Sequence, residues 1–245
     1  MAMAAKEKTS LGVSVTPVLL VVHLLGLIAA VLMLVWNLHY RGGLSFSAQD
    51  KQRIFNIHPV SMFIGVVFIA GEANVMYKML PAPKKTKKLV HLLLHLAALS
   101  LGILGIYAVF KFHNEIGVAH VLPYNDSRKR ERERNFLAHE KISQPNFSHF
   151  SPIMNHAFVV FGQWLLGFLS FWYPGLSTPR REQAVPWHAL MGITIFLLTI
   201  CTAETGLAEK FIFQRLVRES EAYLVNFLGL MVLLFGAAVA FCVTH

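Results

Sequence analysis

The sequence predicts an all-α membrane protein, a bundle of six transmembrane helices, and three observations carry that class. Of 245 residues, 55% are hydrophobic and only 14% charged, with a mean hydropathy of +0.53, outside the range of soluble domains. The apolar residues gather into six stretches, each near the roughly 20 residues a helix needs to cross a hydrocarbon core of about 30 Å. None alternates polar and apolar as a barrel strand would, and an open sheet edge cannot survive in lipid.

In chain order the stretches run from Thr16 to Trp36, Phe55 to Tyr77, Leu89 to Phe110, Pro152 to Tyr173, Trp187 to Leu207 and Tyr223 to Val243. Arg41-Gly42-Gly43, Pro81 with Pro83, and Pro174-Gly175 punctuate the joints after the first, second and fourth. Residues 1–15 lack a signal-peptide cleavage pattern, so the first stretch is expected as a retained span behind a short cytosolic segment. The transmembrane domain then covers 16–243, with a polar insertion at about 116–148. That insertion contains Ser-Arg-Lys-Arg-Glu-Arg-Glu-Arg from Ser127 to Arg134 and shows no apolar period, as a solvated loop would.

Charge and cysteine content narrow the function classes. The sequence pI is near 9.7, yet the cations crowd into short loops between apolar runs, where they anchor and orient spans, which argues against nucleic acid as a partner. Cys201 and Cys242 lie inside apolar runs and read as packing residues, with no disulfide framework or thiolate metal site. With both termini cytosolic, nine Lys and Arg face the cytosol and thirteen the other side. Six of the thirteen sit in or beside the insertion, and the orientation rule weighs short loops; discounting them leaves nine against seven, favouring cytosolic termini.

Chemistry enters with the histidines. In Lys84 to His95 (KKTKKLVHLLLH) four lysines run directly into an apolar helix carrying two imidazoles, and a metal-binding side chain inside a span marks a functional site by default. In antiparallel spans His91 and His188 open the third and fifth from the cytosolic face, and so share one depth. His58 opens the second span from the opposite face, where its mate must come from the start of the fourth, at His149 or His156. This makes two histidine pairs, one per leaflet. A zinc site needs three or four protein ligands, whereas haem needs only axial ones and is apolar enough to lie between helices. Spacing alone leaves haem and a transporter with buried titrating histidines both open.

Several motifs in order then carry a resemblance: HYRGGL from His39, IFNIHPV from Ile54, KKLVH from Lys87, KFHNE from Lys111, Gln163-Trp164, Tyr173-Pro174-Gly175 and PWHALMG from Pro186. Together they resemble the eukaryotic cytochrome b-561 family in a plant-like form, over nearly the whole chain except the insertion. The resemblance implies six helices with two b haems held between the central four. It also implies an ascorbate-dependent transmembrane oxidoreductase, moving electrons from cytosolic ascorbate to monodehydroascorbate or a ferric chelate. A vacuolar or other endomembrane location and a homodimer in membrane lipid are implied as well.

Residue by residue, the resemblance makes His91 and His188 the axial ligands of the cytosolic haem and His58 one ligand of the other. His95 then lies near a haem without ligating it. Lys84, Lys88 and Arg181 correspond to a cationic site for the ascorbate anion, and Phe112 and His113 to a non-cytosolic substrate pocket. At the fourth span the chain departs from the family: the motif Leu-His-Ser-Trp is replaced by Ser148-His149-Phe150-Ser151-Pro152. Register from Gln163-Trp164 selects His149; His156, seven residues on and nearly on the same helix face, is the rival. His23 and His39 match no ligand position; His23, Glu72 and Glu204 are expected in hydrogen-bonded structural roles. The readings outside this scheme are a haem-free ion or metal transporter and a single-haem or inactive paralogue. Asn125 and Asn146 head glycosylation sequons in the insertion, with Asn125 expected to carry a glycan if that loop is lumenal.

Overall fold

The computed structural model describes residues 15–119, 147–216 and 219–244. An unbroken apolar run gives helix α1, Val15–Val35, which loosens into a π-turn over Trp36–Tyr40 before Gly42 and Gly43 reverse the chain at φ +74° and +91°. Such positive angles are ones that only glycine adopts without strain. Helix α2, Gln52–Met79, is a composite: short α-turns around His58-Pro59 lead into a π-helical stretch, Phe63–Ile69, and then regular helix from Ala70. Interruptions of this kind recur at functional sites, and Pro59 itself removes one backbone donor.

Helix α3, Lys84–Ala119, and helix α5, Thr178–Phe213, have 36 residues each, about 54 Å at the usual helical rise. Both therefore outrun a hydrocarbon core of about 30 Å. Expected to end near Phe110, α3 continues through the KFHNE motif, where Glu115 takes Lys111 at 3.0 Å one turn back and Lys51, the residue just before α2, at 2.6 Å. Helix α5 begins nine residues before Trp187, with Pro179 in its first turn and Pro186 within it. Helix α4 is Phe147–Phe171 and helix α6 is Ser220–Thr244. Five of the six are long and apolar enough to cross a membrane, and α4 is apolar over Ala157–Phe171. Among the described residues there is no strand.

The N-terminal segment before Val15, Asn125 and Asn146 of the two sequons, and most of the expected insertion lie outside the described residues. Helix α4 starts at Phe147, so His149 and His156 are both on it, and their side chains too lie outside what the structure describes.

Packing is uneven around the bundle. Helix α6 lies along α1 and against α5, and the continuous core is drawn from α1, α2, α5 and α6. Phe235 at its centre has no exposed surface. A Cβ on Gly71 would come within 2.5 Å of the Phe235 ring, and one on Gly26 within 2.7 Å of Phe68. Lipid gives helices no hydrophobic reason to associate, so close packing through small residues takes over. At the loop end of this half, Glu221 of α6 accepts from Trp36 Nε1 at 2.7 Å and pairs with Arg41. In contrast α3 touches α4 only lightly and α4 leans on α5. The candidate histidines stand in this second region.

Candidate functional site

Toward the level of His91 and His188, α2 and α3 approach closely because Gly65 lacks a side chain that would meet Leu101 Cβ at 2.6 Å and the Ala98 carbonyl at 2.9 Å. That approach lets the Ala73 carbonyl of α2 lie 2.9 Å from His91 Nδ1. A carbonyl only accepts, so Nδ1 carries the proton and Nε2 keeps its lone pair for a metal. Across from it, the His188 ring centroid is 6.4 Å from that of His91, with the planes at 72°. Two imidazoles bound in trans to one metal ion, through bonds of about 2 Å, put their centroids about 6 to 6.5 Å apart. The pair expected from matching depth is therefore brought together, on α3 and α5.

Other groups surround it. The His95 ring lies 4.5 Å from that of His91, one turn along α3, and Tyr77 stands edge-on to His91 at 5.5 Å. Phe171 at the end of α4 is edge-on to His188 at 5.0 Å. Lys88 Nζ donates to the Phe171 carbonyl at 3.0 Å, and Lys87 Nζ to that of Tyr77 at 2.7 Å. Cations at helix C-termini satisfy orphan carbonyls in this way, so Lys88 also ties α3 to α4. Lys84 is exposed, and Arg181 has a buried Nε with no hydrogen-bond partner among the described residues.

At the opposite level, His58 Nδ1 lies 3.1 Å from the Gly105 carbonyl of α3, the same arrangement as at His91, and it too frees Nε2. Phe55 packs near His58 at 5.9 Å and edge-on to Phe112 at 5.2 Å, and Phe112 neighbours His113 at 5.7 Å. Lys210 of α5 places its ammonium 4.1 Å from the Phe55 ring centroid, a cation–π distance. Thus His58, Phe112 and His113 share one neighbourhood, and Lys210 joins it although nothing in the local sequence marks it.

Two further expectations are settled. His23 Nδ1 is 2.7 Å from Glu72 Oε2, the interhelical pair its mid-span position suggested. Glu204 differs from its expected role: among the described residues its buried Oε1 has no hydrogen-bond partner, and its side chain lies against Gly229. Among the described residues no three His, Cys, Asp or Glu side chains converge as a polydentate metal site. Among the described residues the donor set is one facing pair of imidazoles, His91 and His188, and the single imidazole of His58 at the other level, which suits a group that brings its own equatorial ligands.

Sequence reasoning gave Gln163 no role. Its Nε2 lies 3.1 Å from both His188 Nδ1 and the His188 carbonyl. Its only signal was the Gln-Trp motif, since a contact between residues 25 positions apart has no local signature.

Comparison with known proteins agrees with this architecture. The model of eukaryotic cytochrome b561 matches residues 57–123 and 139–214. The chain is 42% identical over 234 residues to "Probable ascorbate-specific transmembrane electron transporter 2" of Oryza sativa subsp. japonica, covering 94% of this chain and 89% of that protein. It is 39% identical to "Transmembrane ascorbate ferrireductase 2" of Arabidopsis thaliana, over 91% of this chain and 89% of that one. A transmembrane ascorbate-dependent reductase of Sus scrofa is 34% identical over 91% of this chain and 80% of its own length. Six apolar helices, imidazoles poised at two levels and matches of this extent establish that the chain belongs to the eukaryotic cytochrome b561 family.

Proposed function

We propose that this chain carries electrons singly across a membrane, from cytosolic ascorbate to a non-cytosolic acceptor (monodehydroascorbate or a ferric chelate), with two bis-histidine b haems as resident cofactors. The chain is a transmembrane oxidoreductase, in keeping with relatives named ferrireductase and reductase. His91 and His188 would hold the cytosolic haem; His58 would hold the other with His149, or with His156. The observation that carries the reading is the facing of His91 and His188 at 6.4 Å, with the His91 Nδ1 proton given to a carbonyl.

A b haem held by these histidines would supply one-electron redox chemistry. The protein's own part begins with the donor. Ascorbate is an anion at neutral pH, and Lys84 and Arg181 offer it positive charge at the cytosolic ends of α3 and α5. The unpartnered Arg181 Nε is a buried donor of the kind an anionic oxygen satisfies. Lys88 adds charge while fixing the end of α4. The carbonyls of Ala73 and Gly105 fix the tautomers and ring orientations of His91 and His58. Phe112 and His113 would receive the acceptor, with Lys210 supplying positive charge beside Phe55.

A reduced-minus-oxidised spectrum of the purified chain, with haem counted per polypeptide, tests this directly. Two low-spin haems reduced by ascorbate are expected; no haem band would overturn the reading. Orientation has its own test, since cytosolic termini put Asn125 in the lumen. Expression in a secretory host should then give one glycan, removed by Asn125→Gln.

A further inference from the structure

His188 is held differently from the other two described histidines of the site. His58 and His91 meet main-chain carbonyls, whereas the group 3.1 Å from His188 Nδ1 is the side-chain amide of Gln163, which also reaches the His188 carbonyl at 3.1 Å. One turn further along α4, a Cβ on Gly167 would stand 2.9 Å from His188 Cε1 and 3.5 Å from its Nδ1, so the ring lies against bare backbone there. One turn further again, Phe171 closes the ring edge-on at 5.0 Å, its carbonyl held by Lys88. Residues four apart share a helix face. One stripe of α4 therefore gives His188 a polar hook, a notch and a wall.

Resting on the reading above, we propose that this stripe positions His188 and that Gln163 sets how strongly its ring donates electrons to iron. A ring that gives Nε2 to a metal carries its proton on Nδ1 and needs an acceptor there. A glutamine amide offers either an oxygen or an NH2 group; as placed, Nε2 donates to the His188 carbonyl, and a half-turn of the last torsion, with a shift away from that carbonyl, gives up this bond and presents Oε1 to Nδ1–H. A carboxylate at position 163 would pull that proton harder and make the ring more basic, while an apolar side chain would leave it unpaired. Main-chain carbonyls persist through any substitution, so His58 and His91 cannot be tuned in this way. Gln163 thus makes one of the two haem levels adjustable by a single side chain.

The test uses the full-length protein in membranes, with potentiometric titration of both haems and low-temperature electron paramagnetic resonance of the oxidised state. Gln163→Glu should lower the cytosolic haem's reduction equilibrium about tenfold, which is about 59 mV for one electron, and leave the other haem in place. Gln163→Leu should shift it upward, and Gly167→Ala should change the cytosolic haem's g-values by turning the ring. Should Gln163→Leu lose that haem, its return in Gln163→Glu would support the assignment. Unmoved potentials and g-values in all three variants, with two haems in the unsubstituted protein, would overturn this inference alone. Equal shifts of both haems would also overturn it, as a general structural effect. An unsubstituted protein without haem would instead overturn the functional reading on which it rests.

Discussion

In the half of the bundle built from α1, α2 and α6, Phe235 is wholly buried against positions where Gly71 and Gly26 leave out a side chain. In the half containing α3 and α4, the most apolar window of α3 is 17% buried, against 44% for α6. Its helices meet through particular groups: the Ala73 and Gly105 carbonyls, the Gln163 amide and the Lys88 ammonium. The first half is specified by volume; the second adds, to the close approach at Gly65, polar atoms aimed at imidazoles and at the end of α4. A change of shape should therefore damage the first and leave the redox centres in place; a change of one polar group should do the opposite.

The largest expected effect breaks the second half. His91→Ala or His188→Ala should remove the cytosolic haem completely, halving haem per chain and abolishing reduction by ascorbate. Two low-spin haems in either variant would end the assignment. In the first half, Phe235→Ala should cost about 3 kcal/mol through the cavity it opens, seen as a lower unfolding temperature in detergent with both haem bands retained. Gly71→Ala forces a methyl against the same ring and should cost about 1–3 kcal/mol, by the same measurement. Bleaching of haem before unfolding in either variant would show that the halves are not separate.

Smaller effects sharpen the contrast at the ends of α3. Lys84→Ala with Lys88→Ala should raise the ascorbate concentration for half-reduction roughly three- to tenfold, two partly exposed charges being worth at most about 1 kcal/mol each. The spectrum should not change; unaltered ascorbate dependence would leave both lysines as anchors. Glu115→Gln releases Lys51 and Lys111 and should cost under about 1 kcal/mol, less still at high salt. A larger loss, with altered reduction by the acceptor, would place this clamp within the non-cytosolic pocket.

What the sequence determined by itself was whatever lipid enforces locally. A hydrocarbon layer demands apolar runs of a set length, so six helices were legible, and the positions of His58, His91 and His188 along them fixed two levels. Depth in antiparallel spans also paired the histidines, and family motifs agreed with that pairing and implied haem as the group held. The tertiary structure decided the rest, because those contacts have no local signature. Every residue carries a carbonyl, so nothing in the sequence marks Ala73 or Gly105 as the ones that fix a tautomer. Where α3 continues toward Ala119, Glu115 meets Lys51, brought to it from the residue just before α2. The grip of Gln163 and Gly167 on His188 exists only because α4 and α5 pack antiparallel at that register. Helix length is set within one segment by its solvent, whereas an imidazole's proton and orientation are set by whatever a neighbouring helix brings within about 3 Å.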